Sequence, residues 1–506
     1  MIGATAARRA WSDVLALGGS QLALVALSGG ALIVTARALG PDGYGRVALV
    51  LGLSSLGSTI AFSWTNAAVT RFGAEALARG RTAGEVFWTR LLISLASLAL
   101  LVAALAVAWD GVAAFTGAPP GTFGIAVALV ATAGLSAHAV AALQGSGRMR
   151  ALAASRLVER AVYLAIVAVP FLGGWPLELG LVLIATVAGR ALSAMATFGA
   201  LPAAAWLPIS VDRRTAGLIL AYSAPTLLSF GSGYVFDWAD AAILRAWLGF
   251  DAVGSYQAGY QGMLFVSALL SALSTIAFPT LVAFRSSGRD DLTRLYLDRL
   301  VPLVVGAWSV GVAVLISISP VVVPALLGSS MSMADLVLRV LLVGTAFECV
   351  TALSTAVASS YDQTGRAAGA HVVMTVMNVV LDLALVPVVG VVGPAIATAA
   401  AYTTGALLYH LFTRRGLGLA ARPALLAAAL PAPLALAASL AISDAYVRLG
   451  VVAAMVAIGL VWVRRAHVVA PADLGLLGRL GVPPAALAIV ARALAPTERA
   501  VAVHRS

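Results

Sequence analysis

The stretch Leu39-Gly40-Pro41-Asp42-Gly43-Tyr44-Gly45 returns as Leu248-Gly249-Phe250-Asp251-Ala252-Val253-Gly254, so L-G-x-D-x-x-G occurs twice, 209 residues apart. Two further matches keep nearly the same offset: Gly147-Arg148 with Gly365-Arg366, and Val169-Pro170-x-x-Gly173 with Val386-Pro387-x-x-Gly390. Each match alone is weak. Three in the same order, each at the same point of the hydropathy pattern, indicate a duplicated chain.

What surrounds these motifs is overwhelmingly apolar. Of 506 residues, 61% are hydrophobic and 10% charged, against roughly 45–50% and about 25% in soluble domains. No single core can hide so much apolar surface from water, which excludes a soluble enzyme, and a disordered chain is excluded by the same composition. The expected class is an all-α polytopic membrane protein. At about 20 apolar residues per crossing, about fourteen transmembrane helices are expected, near 14–36, 46–68, 86–109, 122–143, 151–174, 177–200, 215–240, 253–275, 300–319, 337–358, 368–389, 392–412, 423–442 and 446–463.

The duplication pairs the first six spans with the next six. Six is even, so both copies enter the membrane from the same side: parallel repeats, related by a pseudo-twofold axis along the membrane normal. The expected organisation is a six-helix lobe over 1–210, a second over 211–415, two additional helices within 416–463 and a cytoplasmic interfacial tail over 464–506. In transporters built this way the substrate site lies between the repeats near the midplane. The bland alternative is a duplicated scaffold with no transport role.

Arginine placement supports the count. All 32 basic residues are Arg, which leaves P-loop and Schiff-base chemistry without their usual lysine. With the N-terminus inside, 20 fall in inner segments before the tail, among them Arg8, Arg9, Arg79 and Arg90, and the outer loops hold four, Arg37, Arg46, Arg245 and Arg448. This asymmetry obeys the positive-inside rule and accounts for the net charge of +11 without a nucleic-acid partner. Cys349 is the lone cysteine, in an apolar run, which excludes an internal disulfide and a Cys-rich metal cluster. No cofactor is expected beyond a coupling proton or sodium ion. In the tail, the segments carrying Arg479 and Arg492 are too short to span and are expected to lie in the interface.

Ionisable groups within spans usually face a cavity or the bundle interior. Tyr222, Thr226, Ser229, Gly233, Asp237 and Asp240 step along one helical face, as do Glu348, Thr351, Thr355 and Ser359, and then His371, Thr375, Asn378 and Asp382. Glu348 lies near the midplane. It is either a coupling or cavity-lining carboxylate, or a buried one paired with Arg190 or bonded to hydroxyls. Asp382 carries the same alternatives, and Asp237 and Asp240 sit near the outer interface, where water reaches. Arg190 suits phosphate or carboxylate recognition by its planar fork, or an ion pair with a carboxylate of the other half. Arg37, Arg245 and Arg71 lie at span ends, where snorkelling and anion recognition are both open. His138 beside Ser136 reads as a packing residue.

The segment Arg37 to Gly45, the Gly/Ser-rich span after it, and Ala67-Ala-Val-Thr-Arg71-Phe-Gly-Ala-Glu75 resemble the start of the polysaccharide-transport proteins, oligosaccharide flippases of the multidrug/oligosaccharidyl-lipid/polysaccharide exporter superfamily. Asp237 through Tyr256 resembles the family's middle signature, and Val386 through Thr398 its late one. The resemblance implies a fold like that of the multidrug and toxin exporters. It also implies movement of a polyprenyl-pyrophosphate-linked oligosaccharide across the bacterial inner membrane, with both termini cytoplasmic, for a capsule or similar glycan. The partners implied are that lipid-linked substrate, the bilayer and other polysaccharide assembly proteins. Arg71 falls within one of these motifs. Asp382 departs from the family pattern, in which a neutral polar residue is more usual, and leaves a different ion or substrate open.

Rival readings are a cation-coupled drug exporter, expected to have a net acidic, aromatic cavity, and a peptidoglycan-precursor flippase. A membrane glycosyltransferase or polymerase needs placed acid and base groups, generally organised by a sizeable outer loop, and the short outer loops expected here disfavour it.

Overall fold

The computed structural model describes residues 4–361, 363–418 and 428–465. The expected interfacial tail with Arg479 and Arg492, like Arg422, lies outside the described residues. All the described elements are helical: α1 (Ala4–Ala61), α2 (Asn66–Ala78), α3 (Gly84–Thr116), α4 (Phe123–Gly145), α5 (Met149–Leu172), α6 (Leu179–Gly199), α7 (Ala203–Trp206), α8 (Arg213–Trp247), α9 (Phe250–Ser286), α10 (Asp290–Leu295), α11 (Val301–Leu327), α12 (Ser332–Ser360), α13 (Thr364–Val389), α14 (Gly393–Gly416), α15 (Pro431–Ala441) and α16 (Ala445–Arg465). Among the described residues, seven helical stretches are long and apolar enough to cross a membrane. The chain is a multi-pass membrane protein.

The duplicated motif breaks the helix at the same point in each copy. Gly40 takes φ 66° within α1, ahead of Pro41, and Gly249 takes φ 96° between α8 and α9. Positive φ suits glycine, which lacks the Cβ that makes this region costly. The two copies then pack on each other. A Cβ on Gly45 would sit 2.1 Å from the Phe250 carbonyl oxygen, and one on Gly254 would sit 1.9 Å from that of Pro41. Pro41 and Phe250 hold the same place in the motif, so the contact maps onto itself when the copies are exchanged.

Contacts divide the described residues into two compact units. The first comprises Met1–Phe265, Pro324–Ala334 and Val379–Pro394, and the second Val266–Val323, Asp335–Asn378 and Ala395–Ser506. This is a division by contact, distinct from the repeat boundary read near residue 210.

In the first unit, α5 and α6 approach backbone to backbone. A Cβ on Gly189 would sit 2.6 Å from the Glu159 carbonyl oxygen, and Ser193 donates to the Ser155 carbonyl at 2.8 Å. Where α1 gives way to α2, the chain passes through a 3-10 turn at Ser63–Thr65. Arg90 fills this break. Counted in sequence among the inner interfacial arginines, it is instead fully buried, donating to the Phe62 carbonyl at 2.6 Å, Thr65 Oγ1 at 2.9 Å and Asn66 Oδ1 at 2.5 Å. The helix break leaves carbonyls without intrahelical donors, and the guanidinium supplies them. His138, fully buried, contacts the same guanidinium and packs on Phe87. At the start of α8, Asp212 accepts from the Thr215 backbone N–H at 2.8 Å, which holds its carboxylate below the usual range.

The second unit is centred on Leu270, Val305, Ile316, Leu342, Cys349 and Val452. Cys349 is a buried small hydrophobe there. Buried polar contacts fasten α15 and α16 to α11 and α12. Ser309 donates to the Ala429 carbonyl at 2.8 Å and accepts from the Ala432 N–H at 3.0 Å. Arg339 pairs with Asp335 at 2.8 Å and donates to Ser439 Oγ at 3.2 Å. Arg448, expected in an outer loop, is buried and donates to the carbonyls of Ser317, Ile442 and Ser443.

The motif contact makes a stability prediction. Gly254→Val should lower the melting temperature of purified protein, because overpacking costs ~1–3 kcal/mol or more. Gly111→Ala, with open space around it in α3, should leave stability unchanged or raise it by up to about 1 kcal/mol.

Candidate functional site

A cavity of about 370 Å³ opens within the first unit. It is walled by α1, α5, α6, α8 and the first turns of α9, and its lining is unusually polar for a membrane bundle: Ser28, Thr35, Ser55, Gln257 and Gln261 beside charged and aromatic groups. Gly52 makes the wall possible. A Cβ there would sit 1.7 Å from Trp238 Nε1, so only glycine lets the indole lie against α1. Tyr234 donates to the Gly52 carbonyl at 2.8 Å and stacks on Trp238 at 5.8 Å, while Thr35 and Tyr163 share a hydrogen bond of 2.7 Å across the cavity. Tyr44 and Tyr260 add two more rings. Aromatic faces with convergent hydroxyls and amides are the usual makeup of a small-ligand pocket.

Two arginines and two carboxylates line this space: Arg160, Arg190, Glu159 and Asp237. The partner of Arg190 is Glu159, at 3.8 Å, and Arg190 also donates to Ser54 Oγ at 3.3 Å and the Leu129 carbonyl at 3.2 Å. One of the two sequence readings of Arg190 paired it with a carboxylate of the other half of the chain. The close α5–α6 approach at Gly189 supplies one from the neighbouring helix instead. Arg160 lies near enough to Tyr163 and Arg190 to act on both electrostatically.

Asp237 accepts from Tyr260 at 3.2 Å in the same cavity. Asp240, three residues on, is not at a wet interface but fully buried, because α9 folds back at Gly249 and lays Tyr256 over it; the phenol donates to its carboxylate. Asp382, also fully buried, lies near enough to Asp240 for the two carboxyls to interact electrostatically. Within one unit the structure places Arg190 and Asp237 in the lining of one cavity, and Asp240 beside Asp382. In the second unit Glu348 accepts from the Ser267 hydroxyl at 2.6 Å, and Asn378 donates to Thr398 at 3.2 Å.

The arginines at span ends have local partners. Arg71 pairs with Glu75 at 2.9 Å and lies over Tyr222 at 4.9 Å. Arg245 donates to the Phe115 carbonyl at 2.8 Å and lies over Phe250 at 3.9 Å, on a ring that Arg46 also covers at 4.3 Å. Exposed Arg37 reaches the Ala325 carbonyl at 3.4 Å. Glu159, Arg160, Tyr163 and Trp238 were missed in the sequence. The first two sit within the interfacial run Arg148, Arg150, Arg156 and Arg160, which masks them, although Arg156, Glu159, Arg160 and Tyr163 share helical spacing that marks one face. On a Cys349→Ala background, cavity-lining Ser55→Cys should react with a water-soluble thiol reagent, and fully buried Ser94→Cys should not.

Comparison with known proteins agrees with this architecture. AglR of Haloferax volcanii, described as a probable flippase, is 29% identical over 181 residues, 34% of this chain and 37% of that protein. The chain spans about two fifths of the length of the curated relatives it matches. Among solved structures, the lipid II flippase MurJ in an inward closed conformation aligns with a TM-score of 0.66 at 13% identity, covering 88% of this chain and 96% of that one. An inward-facing multidrug resistance MATE family transporter of the MOP superfamily aligns with a TM-score of 0.58 at 15% identity, covering 80% and 98%. At such identities the likeness is one of fold, and it bears out the MATE-like helical class. Residues 10–284 match the family described as "Polysaccharide biosynthesis protein", more than half of the chain, and the protein belongs to that family.

Proposed function

We propose that this protein is a flippase, not an enzyme, that moves a polyprenyl-pyrophosphate-linked oligosaccharide across the bacterial inner membrane by alternating access, for assembly of a cell-surface polysaccharide. The observation that carries this reading is the cavity in the first unit, where two arginines stand among aromatic rings, amides and hydroxyls. Guanidinium groups match the diphosphate, through charge-assisted hydrogen bonds. Aromatic faces and hydroxyl or amide groups match sugar rings. The flippase names of the curated relatives support the same activity.

Within the proposal Arg190 and Arg160 take the diphosphate, and Tyr234, Trp238 and Tyr260 take the sugar. The buried neighbours Asp240 and Asp382 serve as the coupling carboxylates, with a proton or sodium as the ion. The drug-exporter reading expected a net acidic cavity. The cavity instead balances Glu159 and Asp237 against Arg160 and Arg190, so it lacks the net acidity that reading requires.

The test is transbilayer movement of a fluorescent polyprenyl diphosphate oligosaccharide in liposomes holding the purified protein. Movement without covalent change supports the proposal, and a new glycosidic bond or no movement overturns it. Arg190→Ala should slow movement by about tenfold or more, the scale of losing one charge-assisted hydrogen bond worth ~1.5–3 kcal/mol, with the protein still inserted in the membrane at its normal level.

A further inference from the structure

Glu159 and Arg190 line a second cavity as well as the first. This one, about 250 Å³, is bounded also by Asn66, Ser136, Gln144, Arg156 and Ser193. Among the described residues, these two side chains are the ones common to both cavities, so their pairing forms part of the wall between them. The backbones beneath them are fixed by the Gly189 approach and the Ser193–Ser155 bond. A change of partner here is a movement of side chains.

The pair is also loose. Arg339–Asp335 and Arg414–Asp298 close to 2.8 Å and 2.6 Å, whereas Arg190 and Glu159 stand 3.8 Å apart, beyond hydrogen-bonding distance. The other contacts of Arg190, at 3.2 Å and 3.3 Å, both use Nη1. A guanidinium offers five N–H donors in a fork, so most of its capacity faces the cavities unused. Neighbouring Arg160 adds a second cation to the lining of the first cavity.

We propose that Glu159 is a built-in competitor for the ligand: its carboxylate occupies Arg190 while the cavity is empty and is displaced when a phosphate group arrives. This rests on the reading of Arg190 as a phosphate site. A diphosphate can bind the fork bidentately at hydrogen-bonding distance, whereas the carboxylate holds it at arm's length. Competition of this kind weakens binding and speeds release, which a carrier needs and a storage protein does not. It also changes the wall between the cavities only when ligand is present.

The sign of one mutation separates this role from a structural one. If Glu159 merely orients Arg190, removing its charge weakens binding; if it competes, removal strengthens it. Binding of farnesyl diphosphate N-acetylglucosamine and of the neutral farnesyl N-acetylglucosaminide is measured by titration calorimetry on the full-length protein in detergent. Glu159→Gln should bind the diphosphate probe about three- to tenfold tighter, the scale of a partly exposed ion pair, with slower dissociation. The neutral probe should bind unchanged, and Glu159→Asp should restore the wild-type affinity for the diphosphate. Unchanged or weaker diphosphate binding by Glu159→Gln, with neutral-probe affinity retained, overturns the competitor role alone. Equal tightening for both probes overturns it too. Wild-type protein that binds the neutral probe but not the diphosphate defeats the phosphate reading and this inference with it.

Discussion

Two glycines touching across a duplicated motif organise the first unit. Gly45 and Gly254 let the backbones of α1 and α9 meet at the carbonyls of Phe250 and Pro41. That approach depends on the preceding breaks at Gly40 and Gly249, which turn each helix at the same motif position. From it follow the return of α9 over Asp240, the placing of Tyr256 and Tyr260, and one wall of the cavity. A side chain at either contact would push the helices apart by more than a methyl group and uncover the buried carboxyls.

Elsewhere the bundle obeys a second constraint: polar groups taken out of water must find partners. Arg90 serves an open carbonyl of a broken helix. Arg448 does the same for the turn between α15 and α16. Arg245 covers the end of α3 and lies on an aromatic ring. These arginines do structural work in places where a sequence-level count sees only charge. Arg190 differs because its contacts are long and its surroundings hollow, and this separates a group held in reserve from one already committed.

The cavity combines features that compete in a membrane protein. It is polar enough to hold water-loving groups, yet its charges are balanced, so its field favours neither sign strongly. Ligand recognition then depends on geometry: which side chain Arg190 faces, and how the rings of α8 and α9 are spaced. Buried Asp240 and Asp382 adjoin each other in the same unit, and Asp240 stands on the helix that carries Tyr234 and Trp238 of the aromatic wall.

Composition and periodicity alone determined the helical membrane class, the duplicated motif, and which stripes of Asp, Glu, Asn and Arg lie within apolar stretches, because the bilayer tolerates only long apolar helices and makes each internal charge conspicuous. Family membership was legible in the same motifs. Pairing was not. That Arg190 meets Glu159, that Asp240 meets Asp382, and that Arg90 and Arg448 are buried depend on helix approach distances set by Gly189, Gly249 and the break at Phe62, and a one-dimensional pattern carries no distance between helices. Helical spacing says which residues share a face; only tertiary packing decides what that face looks at.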